Sequence, residues 1–438
     1  MKRTAIIGSG ITALARAWNL KQNGIECMIL EPSAQVGGAI QSYRDGPYLA
    51  EEGPNSIQVN SAEVDAFLHS IPNLESRITP AASAAKKRFI LRNGRLQAVP
   101  TGPLSAITTP LWSFGAKLRV LKEPFIPAID PDVEESAADF VRRRLGDELY
   151  RYAINPLIGG IYAGNPEALS LRYAFPKLYA LEQTHGGMIR GALAKMRAGR
   201  KSQTPGFKKR IISFKHGLAE LPRSLAELMG DTLQTNVSIS RIRKTDTGWH
   251  IAWNEVEEHF EQLIVTSPAH ALQKLPFTDD LNEDLRALKS IDYPPVSVLS
   301  LAFKRSAVAH PLDGFGVLVP ECEGRKLLGV LFPSSIFPNR APEDEVMLTV
   351  FVGGERQPEY AQADTATLLE TVLPELHAML GVSGEPTFTH HRHWPRAIPQ
   401  YKLGYGALLT QIDQIEARFP SLKLAGNYRT GISLSYCI

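Results

Sequence analysis

Gly8, Gly10 and Ala13 stand in the run Gly8-Ser9-Gly10-Ile11-Thr12-Ala13, and their spacing suits one kind of chemistry. A glycine makes a tight turn, a second lets backbone approach a pyrophosphate, and a small third residue lets a helix pack close to a strand. Glu31 follows 23 residues after Gly8, where an acid accepts hydrogen bonds from a ribose and repels an additional 2′-phosphate. The residues therefore point to dinucleotide binding, without the extra phosphate. A bare strand-to-helix turn is the structural alternative.

Positioning these groups takes a strand, a helix and a second strand. Thr4-Ala5-Ile6-Ile7 has strand length and apolarity, and the helix from Ile11 carries Leu14, Ala15, Trp18 and Leu20 before Asn23-Gly24 ends it. Ile25 to Leu30 reads as the second strand and delivers Glu31. Further along come Gly37-Gly38-Ala39 with Gln41, then Glu51-Glu52-Gly53-Pro54-Asn55-Ser56. A glycine pair alone fits a simple loop. Together with Glu31 it resembles the flavoprotein pattern in which a second glycine pair lines FAD.

The 438-residue chain is 44% hydrophobic and 21% charged, which excludes wholesale disorder, a collagen-like fibre and a polytopic membrane protein. Forty-eight basic against forty-five acidic side chains leave +3, too little to mark a nucleic-acid binder. Cys27, Cys322 and Cys437 form neither a disulfide framework nor a zinc spacing, so a reducing compartment is expected. Lys2-Arg3 before an apolar stretch imitates a secretory signal, but Gly8-Ser9-Gly10 breaks the run. With no apolar stretch of about 18 residues, the expected location is the cytoplasm, or the surface of a membrane.

Residues 84–200 read as mostly helical, with periodic apolar positions at Ala137, Ala138, Phe140, Val141 and Leu145. Pro103 to Ala128 is rich in Leu, Ile, Trp and Phe. It is either packed core or a surface that dips into a bilayer, with Trp112 and Phe114 as anchors. Between Gln183 and Ala219 there is no acid but nine basic residues: Arg190, Lys195, Arg197, Arg200, Lys201, Lys208, Lys209, Arg210 and Lys215. That run is either a solvated face or a site for anionic headgroups; it lacks the aromatics of a nucleic-acid surface. From Leu218 a helix to Met229 is followed by strands near 237–242, 249–253 and 263–266, then 296–303, 316–319, 327–332 and 347–352. A second domain inserted into the nucleotide domain is expected. His390, His391 and His393 read as a polar strand rather than metal ligands, no metal site is expected, and no catalytic triad or paired-carboxylate constellation is present.

Five further stretches carry a resemblance over nearly the whole chain. They are Gly53-Pro54-Asn55-Ser56, Gly159-Gly160-Ile161-Tyr162-Ala163-Gly164-Asn165-Pro166 with Leu169-Ser170, and Leu312-Asp313-Gly314-Phe315-Gly316-Val317-Leu318-Val319-Pro320. Phe351-Val352-Gly353-Gly354 and Ala425-Gly426-Asn427-Tyr428 complete the set. The chain resembles the oxygen-dependent protoporphyrinogen oxidases, plant-type most closely. The resemblance implies a mixed α/β fold: a Rossmann-like FAD domain of the p-hydroxybenzoate-hydroxylase type (1–80, 237–282 and 397–438), an inserted substrate domain (189–236 and 283–396) and a helical membrane-associating domain (84–188).

It also implies one non-covalent FAD, held by Gly8, Ser9, Gly10, Ile11, Thr12, Ala13, Glu31, Gly37, Gly38, Ala39, Gly53, Pro54, Asn55, Ser56, Val237, Trp394, Ile432, Ser433 and Leu434. Arg88 would hold a substrate propionate, since guanidinium offers a carboxylate two parallel donors. Leu318, Leu331 and Phe351 would sandwich the tetrapyrrole, and Gly160 would bring main chain beside a methylene bridge. From the residues alone, Arg88 is a surface arginine and the three apolar residues are core.

The implied reaction is oxidation of protoporphyrinogen IX to protoporphyrin IX by O2 in haem biosynthesis, through three hydride transfers to the flavin with H2O2 as product. No residue is singled out as catalytic. The implied partners are porphyrinogen, O2 and an anionic membrane surface, with a second copy of the chain and ferrochelatase as further candidates and nucleic acid excluded. Coproporphyrinogen III is the alternative substrate, and a non-catalytic porphyrin-binding flavoprotein the alternative class. Two departures stand out. His216-Gly217 replaces a glycine pair, and the sequence stops at Ile438 where the resemblance implies a further helix behind the flavin. Weaker FAD binding and a less stabilised reduced flavin are the expectation from the second.

Overall fold

The structure, a computed structural model, describes residues 3–199, 207–278 and 280–438. β1 (Thr4–Ile7) is buried at every position and runs through the glycine turn into α1 (Ile11–Gln22), which is C-capped by Asn23. β2 (Cys27–Leu30) then pairs parallel to β1. Strands covered on both faces are apolar throughout rather than alternating, as Ala5-Ile6-Ile7 is. The sheet has five strands in the order Leu233–Gln234, β2, β1, Gln262–Val265 and Leu422–Leu424, every pair parallel. It is assembled from four separated stretches of chain. α1 packs Leu14 and Trp18 into a cluster with Leu221 and Leu225 of the helix Glu220–Met229.

A second, seven-stranded sheet runs Phe388–Trp394, Val296–Lys304, Glu345–Gly353, Gly329–Leu331, Gly316–Leu318, Phe89–Arg92 and Arg95–Ala98. One face is closed by the helix Thr365–Leu380, whose Leu368, Val372 and Leu376 pack with Leu299, Leu301 and Val350. On the other face Val298 and Phe351 cluster with Ala163, the left-handed residue (φ 50°) that ends the helix Asn155–Tyr162.

Two segments depart from the sequence expectations. Residues 84–98 were expected to open the helical domain, yet Phe89–Arg92 and Arg95–Ala98 form a hairpin at the edge of the seven-stranded sheet. Its turn is Asn93-Gly94 with φ 51° and 70°, the two-residue type that matches strand twist. Residues 207–236 were expected with the substrate domain. Instead Arg210–Phe214 pairs with Ile57–Val59 and Ile78–Pro80, and Leu233–Gln234 edges the first sheet. Very short strands carry no periodicity of their own, and partners far away in sequence decide where they go.

The remaining helices are tied together by ions. Arg144, on the helix Ala137–Leu145, is fully buried with Glu123 and Glu182, at 2.7 Å from one carboxylate and 2.5 Å from the other. Glu123 also accepts the backbone N–H groups of Met188 (2.7 Å) and Ile189 (3.0 Å), so it closes the first turn of the helix Met188–Gly199. Arg143 joins through Glu135 and Glu182. None of the described helices is long and apolar enough to cross a membrane.

Candidate functional site

The glycine loops named from sequence converge. Gly37 N–H donates to Ser9 O at 2.9 Å, and Gly38 stands against Gly10. A Cβ on Gly53 would lie 2.2 Å from Ala39 O, so only glycine allows Gly53-Pro54-Asn55-Ser56 to pass that close to the second glycine pair. Glu31, at the end of β2, turns its carboxylate into the loop mouth, where it accepts from Ser9 N–H and Ser9 Oγ, both at 2.7 Å. Val237 N–H donates to Glu31 O. Thr12 is hydrogen-bonded to Cys437, whose thiol burial pushes its pKa up. Leu434 packs with Ile11 and Ala13 in one apolar cluster, next to Ile432 and Ser433 in the chain. The departure at His216 is harmless: its side chain is exposed, whereas Gly217 has φ 97° and a Cβ there would meet Ser42.

The cradle fits a dinucleotide. A Cβ built on Gly10 meets no atom within 4 Å, so the loop leaves open the space that a pyrophosphate needs. Donors and acceptor are both in place, with the start of α1 on one side and the Glu31 carboxylate on the other.

Trp394 joins this cradle to the seven-stranded sheet, its indole N–H donating to Glu52 O at 2.6 Å. The Glu52 carboxylate lies 2.9 Å from His390 Nε2 and 3.7 Å from Arg392 Nε. Tyr43 stacks on His390 with centroids 4.0 Å apart, and the Arg392 guanidinium lies over Trp394 at 4.5 Å. Glu52, His390 and Arg392 were not singled out from the sequence as site residues. Some 340 positions separate the acid from its partners, and only the polar character of residues 390–393 hinted at a functional strand.

The register of the sheet then orders the other candidates. One cross-strand row reads Arg392, Val298, Phe351, Gly329, Leu318, Ile90 and Gln97. Leu331 lies two residues from Gly329, and Arg88 two residues before Ile90, so both look out on the same face. The strands Gly316–Leu318, Gly329–Leu331 and Glu345–Gly353 are buried at every position but one, and those three positions are Leu318, Leu331 and Phe351. Gly160 on the helix Asn155–Tyr162 closes over the row, since a Cβ there would sit 2.4 Å from Leu318 Cδ2. At the hairpin end Arg88 is exposed, its guanidinium 5.1 Å over the Phe315 ring.

A family model described as flavin containing amine oxidoreductase matches residues 9–433. The chain belongs to that family. It is an FAD-dependent oxidoreductase with the mixed α/β fold of the flavoprotein oxidases. Within the family, a similar curated protein is protoporphyrinogen oxidase 2, chloroplastic/mitochondrial, of Arabidopsis thaliana, 33% identical over 473 residues that cover 100% of this chain and 92% of that one. Coproporphyrinogen III oxidase of Staphylococcus aureus is 30% identical over 459 residues, covering 100% and 97%. A solved structure from Exiguobacterium sp. 255-15 has the same fold, with a TM-score of 0.81 at 24% identity and coverage of 100% and 96%.

Three sequence expectations at the surface need adjustment. Trp112 is half-buried with its indole N–H inside, so it is Phe114 that stands out, 75% exposed. Arg210 is committed to Asp65 at 2.8 Å, and Arg200 and Lys201 lie outside the described residues. Among the described residues no group of three His, Cys, Asp or Glu side chains could hold a metal.

Proposed function

We propose that this oxidoreductase converts protoporphyrinogen IX to protoporphyrin IX in haem biosynthesis, with O2 as acceptor and H2O2 as product. One observation carries the reading: three adjacent strands each leave a single apolar side chain uncovered on one face, between the cofactor cradle and an unpaired arginine. A flat macrocycle needs apolar walls and few polar anchors. FAD, when bound in the cradle, supplies the two-electron acceptor. Leu318, Leu331 and Phe351 hold the macrocycle flat, Gly160 lets main chain approach it, Trp394 and Glu52 fix the wall against the cradle, and Arg88 grips a carboxylate. The names of the plant relatives support this substrate, and the Staphylococcus relative makes coproporphyrinogen III the second reading.

The test is an aerobic fluorescence assay on both porphyrinogens. Porphyrin fluorescence should rise with protoporphyrinogen and more slowly with coproporphyrinogen; no rise with either rejects the reading. Arg88→Ala should keep its flavin and lose about one to two decades in kcat/KM, mostly as a higher KM, because a charge-assisted contact contributes about 1.5–3 kcal/mol. Unchanged kinetics would remove Arg88 from the site.

The same reading places the protein on an anionic membrane surface. Leu104, Ile107, Leu121 and Phe125 stand 66–83% exposed beside Phe114. Leu193 and Met196 are exposed on the helix Met188–Gly199 together with Arg190, Lys195 and Arg197. Apolar insertion persists in salt while headgroup attraction is screened. Sedimentation with anionic vesicles should therefore fall only in part when salt is raised. Protein that stays entirely in the supernatant at low salt refutes membrane docking.

A further inference from the structure

Beside Arg88, the Phe89–Ala98 hairpin borders a cavity of about 520 Å³ whose wall includes Lys86, Lys87, Gln97 and Thr101. Gln97 is also the last residue of the cross-strand row that contains Phe351 and Leu318, so the cavity continues the apolar face past its edge. No acidic residue lines it. Lys87 is neutralised by Asp313 at 2.5 Å. Lys86 and Arg88 are both exposed, and among the described residues neither has a carboxylate within ion-pair distance. Two neighbouring cations without a counter-charge repel each other and favour an incoming anion.

Neutral donors at the cavity narrow the choice. Ser105 and Thr108 hydroxyls are spent within the helix Pro103–Thr108, on Gly102 O and Leu104 O. The Gln97 amide and the Thr101 hydroxyl are the neutral groups beside the Lys86 ammonium. At the far end of the row the cation is compensated instead: Arg392 faces Glu52 and lies over Trp394. The face is therefore cationic at the hairpin end alone.

We propose that Lys86 in this cavity holds the second carboxylate of a tetrapyrrole whose first carboxylate is held by Arg88. Lys86 is then a specificity-determining residue, favouring a ring with both carboxylates on one edge over a ring with carboxylates all round. This rests on the porphyrinogen reading above.

Equilibrium binding of product porphyrins, read by fluorescence quenching, tests it without turnover. The probes are protoporphyrin IX, its dimethyl ester and coproporphyrin III. Lys86→Gln should weaken protoporphyrin IX about tenfold, the worth of one modest charge-assisted contact. The ester should bind as to the unaltered protein, and Lys86→Arg should restore the diacid. Unaltered protein that binds the diacid equally well with or without Lys86, or a Lys86→Gln protein that loses acid and ester alike, overturns the proposal while leaving the porphyrinogen reading standing. Unaltered protein that binds neither acid nor ester overturns both. Loss of anionic-vesicle binding in Lys86→Gln, with porphyrin affinity unchanged, would assign the cavity to lipid headgroups and overturn it as well.

Discussion

Gly10→Val purifies as a folded, colourless protein. Gly10 has φ −66°, a value open to any residue, and a Cβ there meets nothing within 4 Å. The valine therefore costs the apoprotein little, and its circular dichroism and solubility should match those of the unaltered chain. The same side chain fills the volume a pyrophosphate must enter, so FAD affinity should drop by about 3 kcal/mol or more, over two decades in Kd. Flavin absorbance per mole of protein, before and after dialysis against excess FAD, measures this. Gly53→Ala should differ in kind. Its Cβ would press on Ala39 O at 2.2 Å, so the two loops must separate and the fold itself suffers. A yellow, stoichiometric Gly10→Val protein would show that the pyrophosphate lies elsewhere.

The largest effect on stability is expected at Arg144→Met. Arg144, Glu123 and Glu182 have no exposed side-chain surface, and removing the cation strands two buried carboxylates. Breaking a buried pair in this way costs about 3–5 kcal/mol. Because Glu123 also closes the first turn of Met188–Gly199, that helix should lose hydrogen-exchange protection before the seven-stranded sheet does. Arg151→Met is the control. Its pair with Asp147 is more than half exposed on both sides, and its loss should change stability by less than about 0.5 kcal/mol. Equal denaturant midpoints for the two variants would mean that the buried network contributes nothing.

How much of this was legible in the sequence depended on distance along the chain. β1, the glycine turn, α1 and β2 fall within 27 residues, each specified by its neighbours, and the structure places them within two residues of the expected limits. Phe388–Trp394 likewise forms the polar strand that its histidines suggested. The edge strands were missed for the opposite reason. Leu233–Gln234 is two residues long and exists because β2 offers it an open edge. For Phe89–Ala98 a local sign was present, Asn93-Gly94 between two short runs, but the helical character of the following segment masked it. Of the site, the cofactor loops followed from spacing. Arg88, Leu318, Leu331, Phe351 and Gly160 were reachable only through resemblance, because a residue uncovered on one face of a sheet looks like core until its register is known. Glu52 with His390 and Arg392 had no sequence signal that links them.

The order of the five-stranded sheet has a consequence for synthesis on the ribosome. β1 is made first, yet its second neighbour, Gln262–Val265, emerges 258 residues later, and Leu422–Leu424 follows only near the last residues of the chain. Parallel strands with such separation must close very long loops before any pairing is rewarded. The nascent chain therefore carries Ala5-Ile6-Ile7 with one flank unpaired through more than half of translation, a segment exposed to aggregation and to chaperones. Cofactor capture is set late in the same schedule, since the cradle's remaining wall, Trp394 and residues 432–434, leaves the ribosome after nearly everything else has been made.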